Sequence, residues 1–214
     1  MRSRLFDFLN SIFTTLVSVI VFALVASTAQ AAQTIVVYGD SLSAAYGIAP
    51  NTGWVALLEN KLKQQNIAYK VVNASISGET TSGGLTRFAQ MLKVHQPKIV
   101  VIELGANDGL RGLSLNDMQS NLNSMITQAK VKNATVMLLG MKIPPNYGIQ
   151  YTQKFSAIYE NLASKYKLSL VPFFLDGVAG NRTLVQDDGL HPTAAAQPKL
   201  LENIWPKLES LLKK

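Results

Sequence analysis

The chain has 214 residues, 48% of them hydrophobic and 15% charged, with a formal charge of +7 and no cysteine. That length and composition suit one globular domain with a substantial core and exclude a disordered chain. The basic side chains are scattered, with no long run and no interleaved aromatic stripe, so nucleic-acid binding is not supported, and the absence of cysteine rules out disulfides and a lipidated cysteine anchor.

Arg2 and Arg4 open the chain, an uncharged and mostly apolar stretch runs from Ile12 to Ala26, and Ala29-Gln30-Ala31 forms a small-x-small site. That order is the pattern of a secretory signal, and the stretch, interrupted by Thr14, Thr15 and Ser18, falls short of the roughly twenty apolar residues of a spanning helix. The expected organisation is a signal peptide over 1–31 and one domain over 32–214. The expected location is the periplasm or the medium, with no stable membrane insertion after cleavage.

The mature chain alternates strand and helix patterns. Thr34–Tyr38 is an apolar run stopped by Gly39, and Trp54, Leu57, Leu58 and Leu62 recur at helical spacing over 54–65. Residues 70–73 predict a second strand and 82–95 a helix ended by the approach to Pro97. Ile99–Glu103 predicts a third strand, 115–130 a helix, Thr135–Leu139 a fourth strand closed by Gly140, and 151–167 a helix. A short fifth strand is expected within 168–172 and a last helix over 194–212, with Pro198 and Pro206 weakening its continuity. Strands alternating with helices imply one α/β domain, a mostly parallel five-stranded sheet covered on both faces, with ligands bound beyond the carboxyl ends of the strands.

Those strand ends and one helix start hold the unusual residues. They are Gly39-Asp40-Ser41-Leu42-Ser43, Asn73-Ala74-Ser75-Ile76-Ser77-Gly78, Gly105-Ala106-Asn107-Asp108-Gly109, and Asp187-Asp188-Gly189-Leu190-His191-Pro192. Acyl transfer needs a nucleophile, a base, a group that orients the base, and donors for an oxyanion. Ser41 is a candidate nucleophile, or else a turn or N-cap serine. With Ser at position 43 it does not form the G-x-S-x-G elbow. His191 is the candidate base or part of a structural His-Pro turn. The other histidine, His95, sits at a helix end. Asp188, three residues before His191, is placed to hold its ring, with Asp187 as the rival. Gly78 and Asn107 are candidate oxyanion donors, although both types are common in turns. Leu110, Ile143, Pro145, Tyr147 and Ile149, on loops after the third and fourth predicted strands, could form an apolar acyl groove or ordinary loop packing.

The four segments, in this order, resemble the four blocks of the SGNH hydrolases, also called GDSL esterases. Ser41, Gly78, Asn107 and His191 stand at the block positions, and the resemblance runs from about Thr34 to Lys207. Asn107-Asp108-Gly109-Leu110-Arg111-Gly112 and Pro145-Asn146-Tyr147-Gly148 further resemble the family's periplasmic branch of thioesterases, arylesterases and lysophospholipases. One departure is Ala106, where a glycine often precedes the Asn. The resemblance implies a flavodoxin-like three-layer α/β/α sandwich and a serine esterase. Asp188 and His191 would serve Ser41. The Ser41 N–H, the Gly78 N–H and the Asn107 side chain would form the oxyanion hole. No cofactor or metal is implied. The expected partner is a small acyl ester, thioester or lysophospholipid, acted on by a monomer. An O-deacetylase acting on glycans, or a lipid-binding module without catalysis, are the competing readings.

Overall fold

The computed structural model describes residues 33–213, so the predicted signal segment lies outside the described residues. Five strands, β1 (Gln33–Gly39), β2 (Tyr69–Asn73), β3 (Ile99–Glu103), β4 (Thr135–Leu139) and β5 (Ser169–Val171), form one sheet in the order β2-β1-β3-β4-β5. Every pairing is parallel, with Val37 opposite Asn73 and Gly39 opposite Glu103. Among the described residues, six α-helices connect or follow them: α1 (Trp54–Gln64), α2 (Thr81–His95), the short α3 (Ala106–Leu110), α4 (Leu115–Val131), α5 (Ile149–Tyr166) and α6 (Gln197–Leu212). α1 packs against α6, while α2, α4 and α5 pack in a row, giving the two helical layers of an α/β/α sandwich.

The central strands are sandwiched, so they need apolar side chains on both faces. Ile35, Val36, Val37 and Tyr38 are fully buried, as are Val100, Val101 and Ile102. Each long helix buries one stripe: Met118, Leu122, Met125, Ile126 and Ala129 on α4, and Phe155, Ile158, Tyr159 and Leu162 on α5. α6 is continuous. Pro198 sits in its first turn, where no intrahelical N–H is needed, and Pro206 is accommodated within the helix.

Most element bounds lie within one to three residues of the sequence-based expectation, and two differences bear on the site. α5 begins at Ile149, not within the loop, because Gly148 at φ 93° takes the N-cap position and lets the helix start at once. Residues 106–110, read as a strand-end turn, form α3. Its N-cap Gly105 has φ 117°, and a Cβ there would meet the Tyr159 hydroxyl and Met118, so only glycine fits. Ala106 is then the first helical residue, where alanine is favoured, and this accommodates the departure from the family's usual glycine.

This strand order fixes where chemistry can occur. The chain leaves β1 to one side for β2 and returns on the other side for β3. The carboxyl ends of β1 and β3 therefore flank the crevice at which open parallel sheets bind ligands. Ser41 follows β1 and Asn107 follows β3. Among the described residues, no helix is long and apolar enough to cross a membrane.

Candidate active site

The turn after β1 is shaped by carboxylates beneath it. Asp40 Oδ1 accepts the Leu42 N–H at 3.0 Å, and the Ala44 N–H donates to the Asp40 carbonyl at 2.9 Å. Glu103, at the end of β3 and fully buried, accepts the Ser43 hydroxyl at 2.7 Å and the Asp40 N–H at 3.3 Å through Oε2. The tight turn leaves the Ser41 hydroxyl projecting from the sheet edge, half-buried.

That hydroxyl meets His191. Ser41 Oγ lies 2.8 Å from His191 Nε2, and His191 Nδ1 lies 2.6 Å from Asp188 Oδ2. A carboxylate at Nδ1 selects the tautomer protonated there and leaves Nε2 as an acceptor for the serine proton. Asp188 is itself gripped: its Oδ1 accepts the N–H groups of His191 and Leu190, each at 2.9 Å. The His191 backbone N–H leads the effects that hold the Asp188 carboxyl down to about 2, with the imidazole bond adding to it. The segment is stapled to the rest by Gln186, whose N–H donates to the His191 carbonyl at 2.7 Å and whose amide reaches the carbonyls of Tyr46 and Pro192. The Tyr46 ring leans on the imidazole, with centroids 4.5 Å apart. Asp187 is exposed and Asp188 alone meets the ring. His95 ends α2 near the amino-terminal end of β3, which begins four residues later, and so lies away from the carboxyl ends of the strands where Ser41 stands.

The loop after β2 carries Gly78 at φ 78°, a left-handed conformation suited to glycine. It is laced to the nucleophile turn: the Ile76 N–H donates to the Gly39 carbonyl, the Gly39 N–H to Ser75 Oγ, and the Asn73 amide to the Ser43 carbonyl. Arg87 holds it from below through Glu79 at 2.7 Å and the Ala74 carbonyl at 2.7 Å. Neither the Ser41 N–H nor the Gly78 N–H has a partner among the described residues. Asn107 differs: its amide nitrogen donates to Asp40 Oδ2 and to the Glu79 carbonyl, both at 3.0 Å.

Two buried carboxyls had no place in the sequence-based reading. Burial pushes Asp40 up to about 6, against the pull of the Leu42 N–H and the Asn107 amide. Burial and then the Asp40 charge push Glu103 well above the ordinary carboxyl range, so Glu103 is the neutral member of the pair. Its Oε1 is buried without a partner, which fits a protonated acid better than an anion. The signal was present as a charged residue closing an otherwise apolar strand. Asp108 is also buried. It accepts the Thr81 N–H at 2.9 Å and the Thr81 hydroxyl, tying α3 to the start of α2.

Beside Ser41 opens a cavity of about 540 Å³. Leu110, Ile143 and Pro145 contribute to its wall. Tyr147 and Ile149 do not: the Tyr147 hydroxyl braces the Leu110 carbonyl at 2.9 Å, and Ile149 is 72% exposed on α5. Much of the remaining apolar wall comes from Phe173, Leu175, Ala179, Val185 and Leu190, in the irregular segment after β5 that sequence periodicity did not reach. Among the described residues, no three His, Cys, Asp or Glu side chains cluster as a metal site.

Residues 37–197 match the model of the GDSL-like Lipase/Acylhydrolase family. The chain is 53% identical over 191 residues to Esterase TesA of Pseudomonas aeruginosa, covering 89% of this chain and 95% of that one. It is 39% identical over 203 residues to Thioesterase 1/protease 1/lysophospholipase L1 of Escherichia coli K12, covering 95% and 96%. The crystal structure of TesA superposes with a TM-score of 0.82 at 52% identity, over 84% of this chain and 99% of that chain.

Proposed function

Because the chain belongs to the GDSL-like lipase/acylhydrolase family, we propose that it hydrolyses carboxylic esters and thioesters through an acyl-Ser41 intermediate. The observation that carries this is the unbroken chain of hydrogen bonds from Asp188 through His191 to the Ser41 hydroxyl, at 2.6 and 2.8 Å. His191 Nε2 takes the serine proton as Oγ attacks the acyl carbon. The oxygen that becomes negative is met by the N–H groups of Ser41 and Gly78 and by the Asn107 amide, which shares a hydrogen now given to Asp40 or Glu79. His191 then protonates the departing alcohol or thiol, and water repeats the sequence on the acyl-enzyme. Asp188 does not lose its charge at any step; it holds the ring and stabilises the imidazolium.

The acyl chain occupies the 540 Å³ apolar cavity, and the Escherichia coli relative's name supports thioesters and lysophospholipids among the substrates. Burying one methylene is worth about 0.8 kcal/mol, roughly fourfold in kcat/KM, so chain length is discriminated stepwise until the cavity is full. A panel of aryl esters from acetyl to palmitoyl, with thioesters, lysophospholipids and acetylated sugars beside it, tests this. Leu110→Ser flattens and shifts the chain-length profile, whereas Ile149→Ser leaves it in place. An unaltered profile in Leu110→Ser, or a preference for acetylated sugars, contradicts the acyl-cavity reading.

The same reading includes export, with residues 1–31 removed as a signal peptide. The intact mass of the protein recovered from the periplasm or medium corresponds to a chain starting at Ala32. A mass that retains the Ile12–Ala26 stretch contradicts it.

A further inference from the structure

Arg111 has no part in the site as described so far, yet it touches two of its three proposed oxyanion donors. It caps α3 four residues after Asn107, so the two side chains lie one above the other on the same face of the helix. Its Nη2 donates to the Gly78 carbonyl at 3.0 Å and to Asn107 Oδ1 at 3.3 Å. A Cβ added at Gly78 would meet Arg111 Nη2 at 3.5 Å, an ordinary contact distance. Among the described residues, no carboxylate pairs with it at ion-pair distance.

An asparagine amide has nearly the same shape either way round, so its orientation is decided by what it bonds. Here the Asn107 oxygen faces a cation and its nitrogen faces the Asp40 carboxyl and the Glu79 carbonyl. Turned over, the amide would set donor against donor at Arg111 and acceptor against acceptor at Glu79. Arg111 therefore holds Asn107 with its N–H groups toward the Ser41 turn. By bonding the Gly78 carbonyl as well, it fastens the loop after β2 to α3. The guanidinium is solvent-exposed, so its charge is screened and it acts on the amide through the direct hydrogen bond to Oδ1.

We infer that Arg111 is a positioning residue for the oxyanion hole, acting through the Asn107 amide and the Gly78 peptide. This rests on the proposed reading of Ser41 as nucleophile. Because Asp40 and Glu79 also constrain Asn107, the loss on removing Arg111 is smaller than the loss of a whole donor.

The test uses the full-length mature enzyme and an uncharged p-nitrophenyl ester. Asn107→Ala lowers kcat by roughly 10²–10³, the cost of one oxyanion donor. Arg111→Ala lowers kcat by about 10- to 100-fold, with KM within about twofold, because its contribution appears only as negative charge develops. Arg111→Lys recovers part of the loss, and added guanidinium ion recovers part of the Arg111→Ala loss. The double variant loses less than the product of the two single losses, as expected of groups that act as a unit. An unchanged kcat in Arg111→Ala, a loss confined to KM, or losses that multiply independently overturns the inference. Ser41→Ala is run alongside. If it remains active, the nucleophile reading fails, whereas an inactive Ser41→Ala beside a fully active Arg111→Ala removes only the role of Arg111.

Discussion

Ser41→Ala lowers kcat by about 10⁵–10⁶ while leaving the fold intact. The magnitude follows from the way a nucleophile, its base and the orienting acid act as one unit, so that removing the nucleophile costs nearly as much as removing all three. The residual rate comes from the oxyanion donors and the cavity, neither of which the substitution touches. Stability is little changed, because Ser41 is half-buried and its hydroxyl bonds only His191 across the site. Steady-state kinetics on a soluble ester, with thermal denaturation in parallel, measures both. A variant that keeps more than about a hundredth of the wild-type kcat would contradict the acyl-Ser41 route.

Asp188→Asn lowers kcat by about 10⁴, although the side chain barely changes shape. The Asn oxygen can still accept the Leu190 and His191 N–H groups that Asp188 Oδ1 accepts now. Its NH₂ group then faces His191 Nδ1 and donates to it. The ring proton is forced to Nε2, where it points at Ser41, and the base becomes a donor. The Asp188 carboxyl is held down to about 2, below its ordinary value near 3.8, so it is ionised throughout the working range and the Asn variant stays impaired at every pH from 5 to 9. A depressed carboxyl adds stability above its unfolded pKa and loses it as pH falls toward the folded one. The small stability gap between wild type and Asp188→Asn, screened because Asp188 is partly exposed, therefore closes between about pH 4 and pH 2. Asp40 has the opposite sign. Its carboxyl is raised to about 6 by burial, so its ionisation costs stability as pH rises through that value.

Much of the site was legible because its chemistry is carried by short local patterns. The Asp188–His191 pairing spans three residues and folds as a turn, and Ser41 and Asn107 stand immediately after strands that a sequence pattern can locate. What stayed hidden depends on contacts across the chain. Ser43 and Glu103 are 60 residues apart, and nothing in Ile99–Glu103 alone says whether its terminal acid is buried or solvated. Arg111 reads as an ordinary surface arginine until Gly78, 33 residues earlier, is folded against it. The far wall of the acyl cavity, around Phe173, Leu175 and Ala179, belongs to an irregular segment without period, so an inventory of apolar loop residues reached for Tyr147 and Ile149 instead. The start of α5 was misplaced for a related reason: Gly148 reads as a loop residue, and only its backbone angles reveal it as a cap.

The central claim is that Ser41 is the group that becomes acylated. Treating the mature protein with a fluorophosphonate, then measuring the intact mass and mapping the modified peptide, tests it directly. One equivalent of adduct on Ser41, with hydrolysis lost in proportion and no labelling of Ser41→Ala, is the predicted result. Full hydrolytic activity after complete labelling, or stoichiometric adduct on any other residue, would contradict it.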